Sequence, residues 1–304
     1  MRKVTTLVGL AVFALVGTAR AQDEAPAAEP AAEGEAAAPA GEAMPTPEEA
    51  MAAPEAAPAP AAGMDYVSRG LTQTAGNLQV TVPIVLNLSK EMVLKPVWVP
   101  LDVRYGINDQ LEVFLAHAMP NGFPIATGGG VCLGGEERGC GKMYDNLSLG
   151  IQFSLLKDAA MELAAIGAFM VDSLDLGYYA ADIGVNFKYV AGAIAIKAAP
   201  QIAIGVTKRD EGNKEGIMVP VQVAFQATPE LAAFLDTGIN GPLDGFGDGY
   251  SVPVGIGASF AVMPNLDVGG EFLLPRVLAP SAVPDDFKGV NIRQLGVFAS
   301  WRMN

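Results

Sequence analysis

The chain has 304 residues, of which 51% are apolar, and a formal net charge of −14. Its Lys and Arg residues form no dense run, so it is poorly suited to nucleic acid, whose phosphates require clustered basic side chains. One histidine and two cysteines leave little material for a His-based catalytic site or a zinc site. We therefore expect no nucleic-acid partner, no cofactor and no bound metal.

The first 21 residues have the features of a secretory signal peptide. Arg2 and Lys3 precede an apolar run over residues 7–16, and Ala19-Arg20-Ala21 is a small-x-small cleavage site. The apolar run is shorter than the roughly 20 residues that a membrane-spanning helix needs, so a retained anchor helix is the less favoured alternative. We expect export and cleavage after Ala21.

Residues 22–63 consist almost entirely of Ala, Pro and Glu, and they carry nine acids and no base. With few large apolar side chains and charge of one sign, this stretch cannot offset the entropy of ordering, and its prolines interrupt any helix. We predict a disordered, extended tether in the periplasm. The tether is either a solubilising spacer or a contact to the cell wall. Three positive charges in the signal peptide and nine negative ones in the tether leave residues 64–304 at −8.

From residue 78 onward the chain alternates between apolar and polar residues in about twelve stretches. This period of two is typical of β-strands. Many stretches have 9–13 residues, longer than the average of about 5–6 in soluble proteins and close to the roughly 9–11 tilted residues that cross a bilayer. The predicted strands cover residues 78–88, 97–105, 110–118, 147–155, 160–171, 179–189, 193–206, 217–226, 230–239, 251–262, 265–274 and 291–303.

The connections between these stretches alternate between tight turns and longer links. Tight turns fall at residues 108–109, 157–158, 191–192, 228–229 and 263–265, and the longest link covers residues 120–145. Such alternation is typical of an up-and-down barrel whose termini lie at its short-turn end. The predicted fold is therefore all-β, an antiparallel transmembrane β-barrel of about twelve strands over residues 64–304, preceded by the disordered tether.

The two faces of the predicted strands differ in composition. One is almost purely aliphatic and aromatic, which suits lipid, and the other is polar and charged, which suits a wet interior. A lipocalin-like soluble barrel is disfavoured because a dry, filled interior belongs to about eight strands, and a secreted β-sandwich is the alternative. The charged residues predicted to line the lumen are Asp102, Arg104, Glu112, Glu162, Asp182, Lys188, Lys197, Asp236, Asp267, Glu271 and Arg302.

Residues 103–113 (VRYGINDQLEV) combine a strand that ends in aromatic-Gly, an Asn-Asp turn and a new alternating strand. With the signal peptide and the repeated amphipathic strands, this pattern resembles the porin-like outer-membrane β-barrel proteins of Gram-negative bacteria. The Ala/Pro/Glu tether resembles those of myxobacterial envelope proteins. The resemblance implies a location in the cell outer membrane among its lipids, insertion by the outer-membrane assembly machinery, and a passive pore.

Cys132 and Cys140 lie eight positions apart in the longest predicted loop. An even number of cysteines in an exported protein predicts a disulfide, whereas zinc would need two further ligands. Glycines 128–130 make the base of this loop flexible. Two interpretations stay open: the loop folds into the barrel mouth and narrows the pore, or it is a surface loop hardened against proteolysis.

A catalytic function depends on His117, the single histidine. In twelve-stranded outer-membrane phospholipases a nucleophilic Ser follows the histidine by two residues, whereas this chain has Met119. We therefore expect no enzymatic activity and no catalytic residues. The favoured function is a passive channel for small solutes with a weak cation preference, since rings of carboxylates favour cations. A non-conducting structural or surface protein is the alternative, and an outer-membrane enzyme is the least favoured.

Overall fold

The structure is a computed structural model that describes residues 65–90, 92–117, 129–140, 143–173 and 177–303. The predicted signal peptide and tether lie outside these residues, as does the stretch 118–128 of the longest predicted loop. Within the described ranges, no helix has the length and apolar character needed to cross a membrane.

The described strand segments form one antiparallel sheet that closes on itself. The last segment pairs with the first over ten residues, from Leu78↔Met303 to Asn87↔Gln294. The segments are β1 (Leu78–Asn87), β2 (Val97–Val99), β3 (Asp102–Gly106), β4 (Leu111–His117), β5 (Gly130–Leu133), β6 (Tyr144–Asp145), β7 (Leu147–Lys157), β8 (Met161–Ser173), β9 (Tyr178–Ala191), β10 (Ile194–Ala198), β11 (Gln201–Gly205), β12 (Gly216–Gln226), β13 (Leu231–Pro242), β14 (Val252–Met263), β15 (Leu266–Leu278) and β16 (Gln294–Met303).

Twelve barrel strands are built from these segments, which confirms the predicted fold. Segments β2 and β3 both pair with β1 and form one barrel strand, and β10 and β11 both pair with β9 and β12 and form another. The short segments β5 and β6 belong to the longest loop. The predicted strands 97–105 and 193–206 are thus each split, at Pro100 and at Ala199-Pro200, because proline has no N–H for the sheet ladder. The carbonyl of Pro200 still accepts the Val185 N–H at 3.0 Å.

Short helical turns lie only in the connections within the described residues. They are 3₁₀ turns at Glu136–Arg138, Arg209–Glu211, Asp285–Phe287 and Gly289–Asn291, and one α-helical turn at Phe246–Gly249.

The outer surface of the barrel is apolar and the inner surface is polar. In β7, Leu149 and Ile151 point outward and are 51% and 53% exposed. Gln152, which follows Ile151 and points inward, is fully buried. Soluble monomeric proteins rarely expose so large an apolar band, whereas outer-membrane barrels carry one on their outer surface. The exposed aromatic residues Tyr105, Tyr189 and Phe225 lie near the short-turn end of their strands, as an interface girdle requires.

Three inward phenylalanines each lie directly across from a glycine of the neighbouring strand. A Cβ atom at any of these glycines would overlap the phenylalanine ring, so the rings lie over the glycines and against the wall. The pairs are Phe114↔Gly150, Phe234↔Gly257 and Phe298↔Gly269.

Candidate functional site: the barrel lumen

The predicted lumen-lining residues all lie at inward-facing positions of the barrel strands. Seven of these side chains are buried, and a segment that crosses the lumen contacts four of them, Glu112, Glu162, Lys188 and Asp267. The buried ones are Arg104, Glu112, Glu162, Asp182, Lys188, Asp267 and Glu271, while Asp102, Lys197, Asp236 and Arg302 are half-buried.

Most of these charges form ion pairs between neighbouring strands. Lys188 of β9 lies directly opposite Glu162 of β8, and its Nζ is 3.0 Å from Glu162 Oε1. Arg104 Nη1 lies 2.9 Å from Glu112 Oε1, which is diagonal to it on β4, and Arg104 Nε lies 3.0 Å from Asp102 Oδ1 of its own strand β3. Opposite charges at facing positions of an antiparallel pair stabilise that register. The strand register therefore brings the alternating charges of the sequence together as pairs.

Four of the inward charges form no ion pair among the described residues, whereas Arg302 does; the four are Asp182, Lys197, Asp236 and Glu271. Within the part of the chain that the structure describes, Asp182 forms no ion pair, although it is almost completely buried. The Nζ atom of Lys197 lies 4.3 Å from the centroid of the Tyr66 ring. Arg302 pairs with Asp267 near the short-turn end of the barrel. Of the three carboxylates among these four charges, Asp182 is the one whose two carboxylate oxygens are both buried without a hydrogen-bond partner among the described residues.

Residues 65–77, which we call the lumenal segment, cross the lumen, and residues 74–76 at its end are exposed beside the β3–β4 turn. The sequence predicts a barrel over residues 64–304, but the first strand begins at Leu78, and the residues before it fill part of the lumen. Tyr66 donates its hydroxyl hydrogen to Gln222 Oε1 at 2.9 Å and stacks on Phe234 with 6.2 Å between ring centroids. Burial raises the pKa of the Tyr66 hydroxyl, so it stays protonated and remains a donor.

The middle of the lumenal segment is held by charged wall residues. Arg69 forms a two-pronged pair with Asp267, with Nη1–Oδ2 and Nη2–Oδ1 distances of 2.6 and 2.8 Å. The Leu71 N–H donates to Glu162 Oε2 at 2.7 Å, and the Gln73 N–H donates to Glu112 Oε2 at 2.8 Å. Bonds of this kind to ionised groups are stronger than those between neutral groups.

The lumenal segment closes the short-turn end of the barrel. Its end near β1 is held by the Gly76 N–H, which donates to the Gly106 carbonyl at 2.8 Å beside the β3–β4 turn. Its other end reaches β12, where the Val67 N–H lies 3.2 Å from Gln226 Oε1. The wall residues that it touches lie mostly within a few positions of a tight turn. The segment therefore crosses the lumen at the end of the barrel where the first strand begins and the last strand ends.

A cavity of about 100 Å³ remains beside the lumenal segment. Its lining includes Tyr66, Arg69, Gln79, Asp102 and Arg302. The cavity is polar and is large enough to hold several water molecules.

An abrupt change of composition at residue 65 is the one local signal that could have indicated the lumenal segment. Tyr66, Val67 and Arg69 follow a long stretch of Ala, Pro and Glu. An aromatic, a β-branched and a basic residue within four positions indicate an ordered segment. Their position inside the barrel could not be read from the pattern, because their partners are strands far away in the chain.

The long-loop end of the barrel carries the disulfide and the histidine. Cys132 and Cys140 are bonded to each other. Segment β5 pairs with β2, where Cys132 faces Trp98, so the described part of the loop extends the barrel wall. Whether the loop narrows the mouth stays a prediction, since residues 118–128 lie outside the described residues. His117 ends β4, and its Nε2 lies 2.7 Å from the Tyr144 hydroxyl while its Nδ1 contacts the main chain of Leu101.

Reduction of the disulfide is expected to loosen this loop and leave the barrel folded. In the chain-entropy model, closing a ring between Cys132 and Cys140 contributes about 2–3 kcal/mol. The double variant Cys132→Ser/Cys140→Ser should therefore show faster hydrogen exchange at the amides of β5, while exchange in β12 and β13 stays unchanged. Equal protection of β5 in the variant and the parent would contradict this expectation.

Comparison with solved structures places this architecture among known outer-membrane barrels. A NanC porin superposes with a TM-score of 0.53 at 7% sequence identity, covering 74% of this chain and all of that chain. A KdgM porin gives 0.50 at 5% identity, covering 74% and 99%. An outer-membrane channel from Pseudomonas putida F1 gives 0.50 at 11% identity, covering 76% and 97%. At such identities the likeness concerns the fold alone.

A closed barrel of twelve antiparallel strands, apolar outside and charged inside, defines a porin-like outer-membrane β-barrel protein. This chain has that fold, which agrees with the resemblance seen in its sequence. No family model and no curated protein sequence matches it.

Proposed function

We propose that this protein is a passive channel for small solutes with a weak cation preference. The observation that carries the proposal is the inner wall, where Glu112, Glu162 and Lys188 are ionisable and face the lumen. Water and ions can wet such a wall, whereas a purely structural barrel could be filled with apolar side chains. The fold shared with porins and an outer-membrane channel is consistent with this function.

The preference for cations follows from the balance of charge on the wall. Carboxylates outnumber bases among the inward-facing residues, and rings of carboxylates favour cations. While the lumenal segment is in place, Arg69 offsets part of this excess. The carboxylates are Asp102, Glu112, Glu162, Asp182, Asp236, Asp267 and Glu271, and the bases are Arg104, Lys188, Lys197 and Arg302.

Conduction through this lumen requires the lumenal segment to move. In the described arrangement the segment crosses the short-turn end, where Arg69, Leu71 and Gln73 are hydrogen-bonded to the wall. The proposal therefore includes a closed state, which the structure describes, and an open state in which residues 65–73 no longer cross the lumen.

The test is the conductance of the full mature chain in planar bilayers. We expect discrete openings, and under a KCl gradient a reversal potential that indicates preference for potassium over chloride. Anion selectivity would overturn the cation preference. An absence of openings, both in the parent and in variants whose lumenal segment is loosened, would overturn the channel itself.

The variant Asp182→Asn should reduce the cation preference. Asp182 faces the lumen and forms no ion pair among the described residues, so no base there neutralises its charge; it is buried in the closed state and would act on ions in the open one. A unit charge at about 4 Å in water contributes about 1 kcal/mol, which corresponds to at most about fivefold in the permeability ratio. The measurement is the reversal potential in a KCl gradient.

Glu215→Gln is the matched control for this variant. Glu215 is an acid outside the strands that pairs with Arg209, and this pairing lowers the pKa of Glu215. Its removal should leave the permeability ratio unchanged. If both variants shifted the reversal potential equally, the lumen would not be the selective part of the path.

A non-conducting structural or surface protein is the second candidate. The observation that favours it is the firm seating of the lumenal segment, in which Arg69 is fixed by Asp267 with two hydrogen bonds. Under this alternative the segment never leaves and the loops and tether carry the function. Retention of purified cell wall by residues 22–63, together with silent bilayers, would favour it.

The proposal assigns no catalytic role to the chain. Both ring nitrogens of His117 are engaged, by Tyr144 and by the Leu101 main chain, which supports a structural role for this residue. We also propose that outer-membrane lipids cover the apolar face, that the outer-membrane assembly machinery inserts the barrel, and that the tether lies in the periplasm.

A further inference from the structure

The wall holds the middle of the lumenal segment chiefly by its main chain. The N–H groups of Leu71 and Gln73 donate to Glu162 and Glu112. The carbonyl of Leu71 accepts from Gln152 Nε2 at 2.7 Å, and the carbonyl of Arg69 accepts from Lys188 Nζ. Donors and acceptors at residues 69, 71 and 73 are thus matched by wall side chains of the complementary kind.

This spacing of two residues is the one that an extended peptide presents, although the segment turns at residues 66–68 and bends at residues 71–72. In an extended chain, the N–H and C=O groups of every second residue point to the same side, which is why edge strands can be recognised through their main chain. The wall supplies two carboxylates for the N–H groups and an amide and an ammonium for the carbonyls. Such a surface recognises an extended backbone largely independently of its side chains.

The wall groups are held in place by neighbours on the barrel. Glu162 pairs with Lys188, Glu112 pairs with Arg104, and Gln152 accepts a hydrogen bond from Asn186. Their positions are set by the strand register and by these wall contacts as well as by the peptide. A preorganised site loses less entropy when its ligand binds.

The side chains of the lumenal segment also contact the wall, and Val67 is buried in an apolar cluster that includes Phe234. Tyr66 stacks on Phe234 and lies under Lys197, and Arg69 pairs with Asp267. Tyr66 and Arg69 are thus an aromatic and a basic residue three positions apart, and they precede residues 71–73, which the wall holds by their main chain.

We propose that the short-turn end of the lumen is a binding site for an extended peptide with a basic side chain, and that residues 65–77 are its resident and exchangeable occupant. The site lies at the end from which the chain enters the barrel. A competing peptide with an aromatic and a basic residue three positions apart takes the place of the resident segment. The link between this exchange and opening of the pore rests on the proposed channel function, but the binding itself does not.

The first test removes the main-chain donors and leaves the barrel wall unchanged. Leu71→Pro/Gln73→Pro in the full chain deletes both N–H groups that Glu162 and Glu112 accept, because proline has no amide hydrogen. Leu71→Ala/Gln73→Ala truncates the same side chains and keeps both N–H groups. The loss of each hydrogen bond to a charged group should weaken the binding of the resident segment to the wall about tenfold or more.

The second test adds the peptide from outside. A fluorescently labelled synthetic peptide of residues 65–77 is titrated against the detergent-solubilised full chain, with binding followed by anisotropy. We expect the proline variant to bind it at least about tenfold more tightly than the parent, whose site is filled. The same peptide N-methylated at residues 71 and 73 should bind at least about tenfold more weakly, since it lacks the donors.

The outcomes separate this proposal from the channel function. Equal binding of the plain and N-methylated peptides, or no binding by a variant that keeps the strand signal of the parent in circular dichroism, would overturn the peptide site. Peptide binding by a variant that stays silent in bilayers would uphold the site and overturn the channel. Tyr66→Ala/Arg69→Ala loosens the segment without touching either donor, and it replaces the proline variant if that variant does not fold.

Discussion

Replacement of Lys188 by Met is expected to destabilise the barrel by about 3–5 kcal/mol, the usual effect of breaking a buried ion pair from one side. Lys188 is 1% exposed, its Nζ lies 3.0 Å from Glu162 Oε1, and it also donates to the carbonyl of Arg69. Without Lys188, the buried charge of Glu162 keeps one described hydrogen-bond donor, the N–H of Leu71. The measurement is urea unfolding of the protein in lipid vesicles, followed by tryptophan fluorescence.

Two controls determine whether the pair itself is responsible. The double variant Lys188→Met/Glu162→Gln removes both charges and should lose less stability than the sum of the single variants, since contacting residues are not additive. Lys197→Met removes another inward lysine, whose described partner is the Tyr66 ring, and should cost about 0.5–2 kcal/mol. If the stability losses of Lys188→Met and Glu162→Gln added up to that of the double variant, Lys188 and Glu162 would not be coupled.

Replacement of Gly150 by Ala is expected to cost about 3 kcal/mol, at the upper end of the range for overpacking. A Cβ atom at this position would overlap the Phe114 ring and lie 2.6 Å from the carbonyl oxygen of Gly167. The ring can turn away, but the carbonyl belongs to the sheet ladder and cannot move without disturbing the pairing of β7 with β8. The measurement is again urea unfolding in vesicles.

Gly167→Ala is the matched control on the neighbouring strand. Gly167 lies in β8, and the nearest atom to a Cβ there is the carbonyl oxygen of Asp182 at 3.9 Å. This contact is ordinary van der Waals contact, so the stability should change by less than about 0.5 kcal/mol, as for most surface substitutions. If both alanine variants unfolded at the same urea concentration, the inward phenylalanines would not be seated on their glycines.

The strand pattern was predictable because alternation is a local property of the chain. Residues i and i+2 of a strand face the same side whatever the strand pairs with, so the apolar face of β7 and its polar face are both visible in the sequence. The breaks at Pro100 and Pro200 were also visible as prolines. Whether a given proline interrupts its strand could not be predicted, because β1 (Leu78–Asn87) carries Pro83 and β12 (Gly216–Gln226) carries Pro220 without interruption.

The alternation also predicts that Arg104, Glu112 and Lys188 point inward. It does not predict which residues they pair with. Lys188 meets Glu162 because the register between β8 and β9 places them opposite each other, and a shift of one residue would turn every side chain of the strand to the other face. Registers depend on turn geometry and on the closure of the whole barrel.

The sequence by itself determined the class of fold, the number of strands, which side chains point inward and the acidic excess of the wall. Only the tertiary structure decided that residues 65–77 cross the lumen and close its short-turn end. The physical reason is distance along the chain: Leu71 meets Glu162 across 91 positions and Tyr66 meets Gln222 across 156. Contacts of that range exist only after the strands have closed around the segment, so no local pattern of residues encodes them.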